Sequence, residues 1–135
     1  DYPDRVGGLV IAAGSLDPAL ERVQMIQYVG EKLGLTYLIP RRMRNANREL
    51  IGLKKHLVAL EPRLKTIACP VAIVHGTVDP LVPFSNVTFM KVRMQRSIVK
   101  VYALEGVNHF LPWNSKPTID AAIMTVAGLP PRTCG

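Results

Sequence analysis

The chain has 135 residues, of which 48% are apolar and 20% charged, the length and make-up of one globular domain that can bury a core of its own. Intrinsic disorder and repeat architectures are excluded, and apolar runs such as LVIAA and PVAIV fall far short of the roughly 20 residues that span a bilayer. The net charge of +7 admits an acidic partner, but much of it lies in IPRRMRNANR and the KK pair that follows. No aromatic residues are interleaved there and no nucleic-acid motif appears, so a solvated basic face is expected and nucleic acid is not.

In chain order, Val6 to Ala13 (VGGLVIAA) is a continuous apolar run, the pattern of a parallel strand buried on both faces, closed by Gly14-Ser15. Leu20, Val23, Ile26 and Val29 recur at near-helical intervals and predict a helix from Pro18 to about Gly34. After the loop LTYLIPRRM, the segment NRELIGLKKHLVALEP puts Leu50, Leu53, Leu57 and Leu60 on one helical face, with Asn45 or Asn47 available as a cap. His56 sits beside Lys54 and Lys55, off the leucine stripe, and reads as solvated.

Cys69-Pro70 introduces a second strand, VAIVH, followed by the Gly- and Pro-bearing loop HGTVDPLVP. Pro83 suits the first turn of a helix running to about Gln95, whose methionines and phenylalanines fit a core better than a cofactor site. Ile98 to Leu104 is a third strand, and Ser115 to Val126 a last helix, capped by Ser115 and stopped by Gly128. The tail LPPRTCG fits neither helix nor strand.

Strands that alternate with helices favour a parallel sheet with right-handed crossovers, and such sheets carry their chemistry beyond the carboxyl ends of the strands. Three loops meet there: 14–17, 75–83 and 105–113. The last two hold Asp79 and His109. An imidazole moves protons near neutral pH once a partner fixes its tautomer and stabilises its cation, which a carboxylate on a neighbouring loop does.

HGTVDPLVP and EGVNHFLPW resemble the acid loop and the histidine loop of the α/β-hydrolase superfamily. YPDRVGGLVIAAGSLDP is similar to the strand that follows that family's nucleophile-bearing strand and helix. The resemblance covers nearly all of residues 2–126. It implies an α/β fold of about three parallel strands with packed helices: residues 1–128 as the C-terminal half of the domain, with a short helical lid at about 16–66, and 129–135 as an irregular tail. It further implies that Asp79 orients His109 and that His109 serves as general base and then general acid. Asp17 is an alternative acid, because some members carry theirs after the earlier strand.

The family's G-x-S-x-G elbow occurs nowhere in the sequence. In family order the nucleophile, and the first part of the oxyanion hole, would precede Asp1. The expectation is therefore part of a serine-type hydrolase of esters or related acyl compounds, using no metal or organic cofactor and inert on its own. Carboxylate-based attack on other bonds stays open, since the deciding residue is missing.

The strand at Val6 to Ala13 would then present an open edge, expected to pair with a missing N-terminal half or to self-associate. Ser15 is a minor candidate for a substitute nucleophile, while Ser85, Ser115 and Cys69 have structural positions. A reading from another class makes the chain a non-catalytic basic module for acidic partners. Cys69 and Cys134 lack metal-ligand spacing, and DYPDRVGG lacks a leader pattern, so free thiols and a cytoplasmic location are expected. Asn86-Val-Thr88 matches a glycosylation acceptor, attributed to chance.

Overall fold

The computed structural model describes residues 5–20 and 41–130, with side chains for all of these except 41–51. Most of the helix expected from Pro18 to about Gly34 lies outside the described residues, as do residues 131–135 of the expected tail. Among the described residues seven elements follow in chain order: β1 (Leu9–Ala12), α1 (Arg41–Leu64), β2 (Val71–Gly76), α2 (Ser85–Arg93), β3 (Val99–Leu104), α3 (Leu111–Asn114) and α4 (Lys116–Ala127). The strands form one parallel sheet in the order β1-β2-β3, as the alternation of strand and helix predicts. Val74 stands in register with Ala12 on one side and Tyr102 on the other.

β2 is the centre of the sheet, and all six of its residues are buried. Successive side chains on a strand point to opposite faces, and β2 divides the core accordingly. Val71 and Ile73 pack with Leu64, Val87, Met90 and Met94 on the face covered by α1 and α2. Ala72 and Val74 pack with Leu111 and Ala122 on the face covered by α3 and α4. Val87 and Met90 of α2, and Met94 just past its end, are thus core residues.

Five expectations are corrected. β1 is shorter than Val6 to Ala13 and only partly buried, because it is an edge strand among the described residues and its approach runs through two glycines. A Cβ at Gly8 would lie 2.2 Å from Val126 Cγ1 and 3.2 Å from Pro70 O, so the chain there needs a glycine to pass between α4 and the sheet. α1 starts at Arg41, which places Asn45 and Asn47 inside the helix and not at its cap. The arginines, methionine and alanine of RRMRNA are good helix formers.

α2 begins at Ser85, with Pro83 ahead of it and Phe84 in the cap position. Ser115 holds the position before α4, but its side chain makes no capping bond. The short α3 was not foreseen and ends at the same residue, so the Ser115 N–H already donates to Leu111 O while its carbonyl accepts from Thr118 and Ile119. Gly128 closes α4 as predicted.

Cys69 is buried and disulfide-bonded, not a free thiol; distance along a sequence says nothing about which thiols a fold brings within bonding range. Cys134, the other cysteine of the chain, lies outside the described residues. Among the described residues no helix is long and apolar enough to cross a membrane.

Candidate active site

The acid loop starts where β2 ends. Asp79 closes a turn on itself: its Oδ1 accepts the N–H groups of Leu81 and Val82, each at 2.9 Å. Its Oδ2 is left to meet Nδ1 of His109 at 2.8 Å, and its side chain is fully shielded from solvent. Burial pushes the Asp79 carboxyl up, but the bonds from Val82, His109 and Leu81 outweigh it and hold the group below its ordinary value. It is therefore a carboxylate that accepts three hydrogen bonds and stands against one imidazole.

The histidine loop is stitched to the acid loop by backbone bonds that continue the β2–β3 ladder past the strands. Thr77 N–H donates to Leu104 O at 3.0 Å, Val78 N–H to Val107 O at 3.3 Å, and Gly106 N–H to Thr77 Oγ1 at 3.0 Å. Gly106 turns the chain with φ +68°, a conformation that glycine adopts without strain. Gly76 allows the loop to cross β2 closely, for a Cβ there would lie 2.1 Å from Val107 O and 2.9 Å from Asn108 O. Asn108 Oδ1 then accepts Phe110 N–H and Asn114 Nδ2, which fixes both sides of His109.

With Nδ1 committed to Asp79, Nε2 is the ring nitrogen that remains for proton exchange. His109 lines a hollow of about 350 Å³ whose other walls are Ala12 and Ala13 at the end of β1 and Phe110, Leu111, Pro112 and Trp113 of its own loop. The walls other than His109 are apolar. Phe110 and Trp113 meet edge to face and stay largely exposed. Two hollows of similar size, one against Glu61 and Arg93 and one beside Gly8 and Val126, lie away from the pair.

The other sequence candidates fall elsewhere. Asp17 spends its Oδ1 on the N–H of Ala19, a local turn, and the carboxylate that meets His109 is that of Asp79. Ser15 is not among the residues lining the hollow. His56 is exposed on α1, as expected. His75 is fully buried, with Nδ1 3.0 Å from Gly76 O and its ring edge-on to Phe84, and its Nε2 has no hydrogen-bond partner.

Sequence reasoning missed Asn86. Its Oδ1 accepts the N–H groups of both Leu16 and Asp17 at 2.9 Å, its Nδ2 donates to Pro83 O at 3.1 Å, and it is completely buried. The apparent glycosylation acceptor is thus a structural amide. The signal for it was a polar residue in the first turn of a helix that follows a proline-bearing loop.

Three solved structures are similar to this chain in fold. A monoacylglycerol lipase from Paleococcus ferrophilus matches over 93% of this chain and 60% of its own, with TM-score 0.59 and 14% identity. The meta-cleavage product hydrolase CumD, in a variant form, matches over 93% and 57%, with TM-score 0.50 and 15% identity. An esterase from Rhodococcus sp. ECU1013 matches over 93% and 57%, with TM-score 0.50 and 17% identity. Identities this low speak for the fold alone.

The chain has a partial α/β-hydrolase fold. It spans 57–60% of the length of these neighbours. No protein-family model and no curated protein matches the sequence.

Proposed function

We propose that the chain supplies the acid and the histidine of a serine-type hydrolase acting on esters or related acyl compounds, and that the nucleophile comes from sequence beyond these 135 residues. The observation that carries this reading is the 2.8 Å bond between His109 Nδ1 and a shielded Asp79 carboxylate, beside a hollow at the carboxyl end of an edge strand. A carboxylate so placed holds the imidazole in one tautomer and stabilises its cation. The names of the structural neighbours, a lipase and an esterase among them, support the same class of chemistry.

In this reading Nε2 of His109 takes the proton from a serine hydroxyl as its oxygen attacks the carbonyl carbon. The resulting imidazolium returns that proton to the departing alkoxide, which leaves as the alcohol and gives an acyl-serine. Water then repeats the cycle, losing its proton to Nε2 as it attacks, and the serine recovers a proton as the acid departs. Asp79 stays ionised throughout. The segment bearing the serine pairs with the open edge of β1, which puts its turn at the hollow lined by Ala12, Ala13 and His109, and residues 16–66 with α1 form the lid region.

The test is intact-mass analysis after exposure to a fluorophosphonate, on this chain and on one extended by the natural sequence ahead of Asp1. The expected result is no adduct on the short chain and one adduct on an upstream serine of the long chain, lost in H109A. An adduct on Ser15 of the short chain, or none on the long chain, would sink the proposal.

A further inference from the structure

The loop that leaves β1 forms one wall of the hollow at His109, through Ala12 and Ala13, and it does so in a conformation that the chain does not favour. Ala13 has φ 46°, in the left-handed region where the Cβ of a non-glycine residue crowds the neighbouring carbonyl. A residue stays there only where its surroundings over-determine it. The near side is fixed by Ala13 N–H, which donates to Val74 O at 2.9 Å. The far side is fixed by Leu16 N–H and Asp17 N–H, both held by Oδ1 of Asn86.

Asn86 faces the acid loop as well. Its Nδ2 donates to Pro83 O, the residue after Val82, whose N–H is bound by Asp79. One buried amide therefore joins two loops that are about 70 residues apart in the chain. An ionised aspartate would accept the same two N–H groups but has nothing to donate to Pro83, and a leucine would leave all three partners bare.

We propose that Asn86 is a positioning residue for the candidate site: it ties the exit loop of β1 to the loop of Asp79 and so sets the width of the hollow that His109 faces. The proposal rests on the reading of Asp79 and His109 as the working pair.

The test uses the chain as it stands and needs no turnover. Its three histidines differ in setting: His56 is exposed on α1, His75 is fully buried and His109 faces the hollow. Diethyl pyrocarbonate acylates accessible imidazoles, and peptide mass analysis gives the rate at each site, with His56 as the internal reference. In N86A the ratio of the His109 rate to the His56 rate is expected to rise at least threefold. Amide exchange at Leu16 and Asp17 is expected to quicken at least tenfold relative to Ala72 and Val74, which report opening of the whole sheet.

N86D, whose carboxylate still accepts both N–H groups but cannot donate to Pro83 O, is expected to keep the Leu16 and Asp17 amides protected and to raise the ratio less than N86A does. A folded N86A whose ratio rises less than threefold overturns the proposal, as does an N86D that behaves like N86A. Should N86A not fold, N86S is read against the same thresholds. Because acylation does not require ester cleavage, failure here leaves the hydrolase reading standing, and failure of fluorophosphonate labelling leaves this measurement interpretable.

Discussion

Replacing Gly76 by alanine tests whether the close crossing of the two loops sets the geometry of the pair. The new Cβ would lie 2.1 Å from Val107 O, 2.7 Å from Val107 C and 2.9 Å from Asn108 O, where ordinary contact begins at 3.4 Å. All three are backbone atoms, so no side chain can swing aside and the histidine loop has to retreat by roughly 1 Å in a densely packed site. The retreat begins two residues before His109. It breaks the bond from Val78 N–H to Val107 O, already 3.3 Å long, and stretches the 2.8 Å bond between His109 and Asp79 past hydrogen-bonding distance.

Overpacking of this kind costs about 1–3 kcal/mol, and each lost hydrogen bond about 1 kcal/mol. Urea unfolding of G76A, with two bonds lost, should therefore show a loss of about 3–5 kcal/mol. Nitrogen NMR of the imidazole should show that Nδ1 of His109 has lost its partner. In an extended chain that turns over esters, a displacement of this size should lower kcat/KM by about 100-fold. Stability within about 0.5 kcal/mol of the parent, together with an intact His109–Asp79 bond, would refute the reasoning.

Gly106 gives the contrasting case: a Cβ there meets nothing within 4 Å, and only its φ of +68° resists, so G106A should cost about 1–2 kcal/mol and leave the imidazole signals of His109 unchanged. In α1 the nearest atom to a Cβ at Gly52 is His56 Cε1 at 3.8 Å, so G52A should raise the urea midpoint through about 0.8–1 kcal/mol of helix propensity. The Asp79 carboxyl lies below its ordinary value of 3.8. A group depressed in the folded state contributes stability that is complete above its unfolded value and lost as pH falls through the folded one. Unfolding measured against pH should thus show stability declining from about pH 4 downward, with a shallower slope in D79N.

Asp79 and His109 were legible because each stands in a short polar loop behind an apolar run, and the alternation of strand and helix puts those loops on one edge. The reach of the elements was less legible. VGGLVIAA is apolar throughout, yet only Leu9–Ala12 is strand, since hydrophobicity does not report that a glycine is needed at position 8 for close passage. The expected loop LTYLIPRRM runs into α1, which starts at Arg41 because its arginines and methionine are good helix formers, and α3 was hidden by a proline in its first turn. Asn86 shows the deeper limit. Its partners Leu16 and Asp17 lie about 70 positions away, and a polar residue in the first turn of a helix does not report which distant backbone it binds.

Among the described residues β1 has no neighbour on one side, and that edge has a consequence in symmetry. Two copies that join identical edges about a two-fold axis do so with their strands antiparallel. The carboxyl ends of the two β1 strands, and with them the two His109 hollows, then point to opposite ends of the joined sheet. Such a dimer covers the edge but leaves each imidazole as far from a reacting group as before. Only a strand running parallel to β1 brings its own carboxyl end beside His109, and no two-fold copy of this chain supplies one. On the proposed reading, the direction of one strand thus separates a partner that merely covers the edge from one that completes the chemistry.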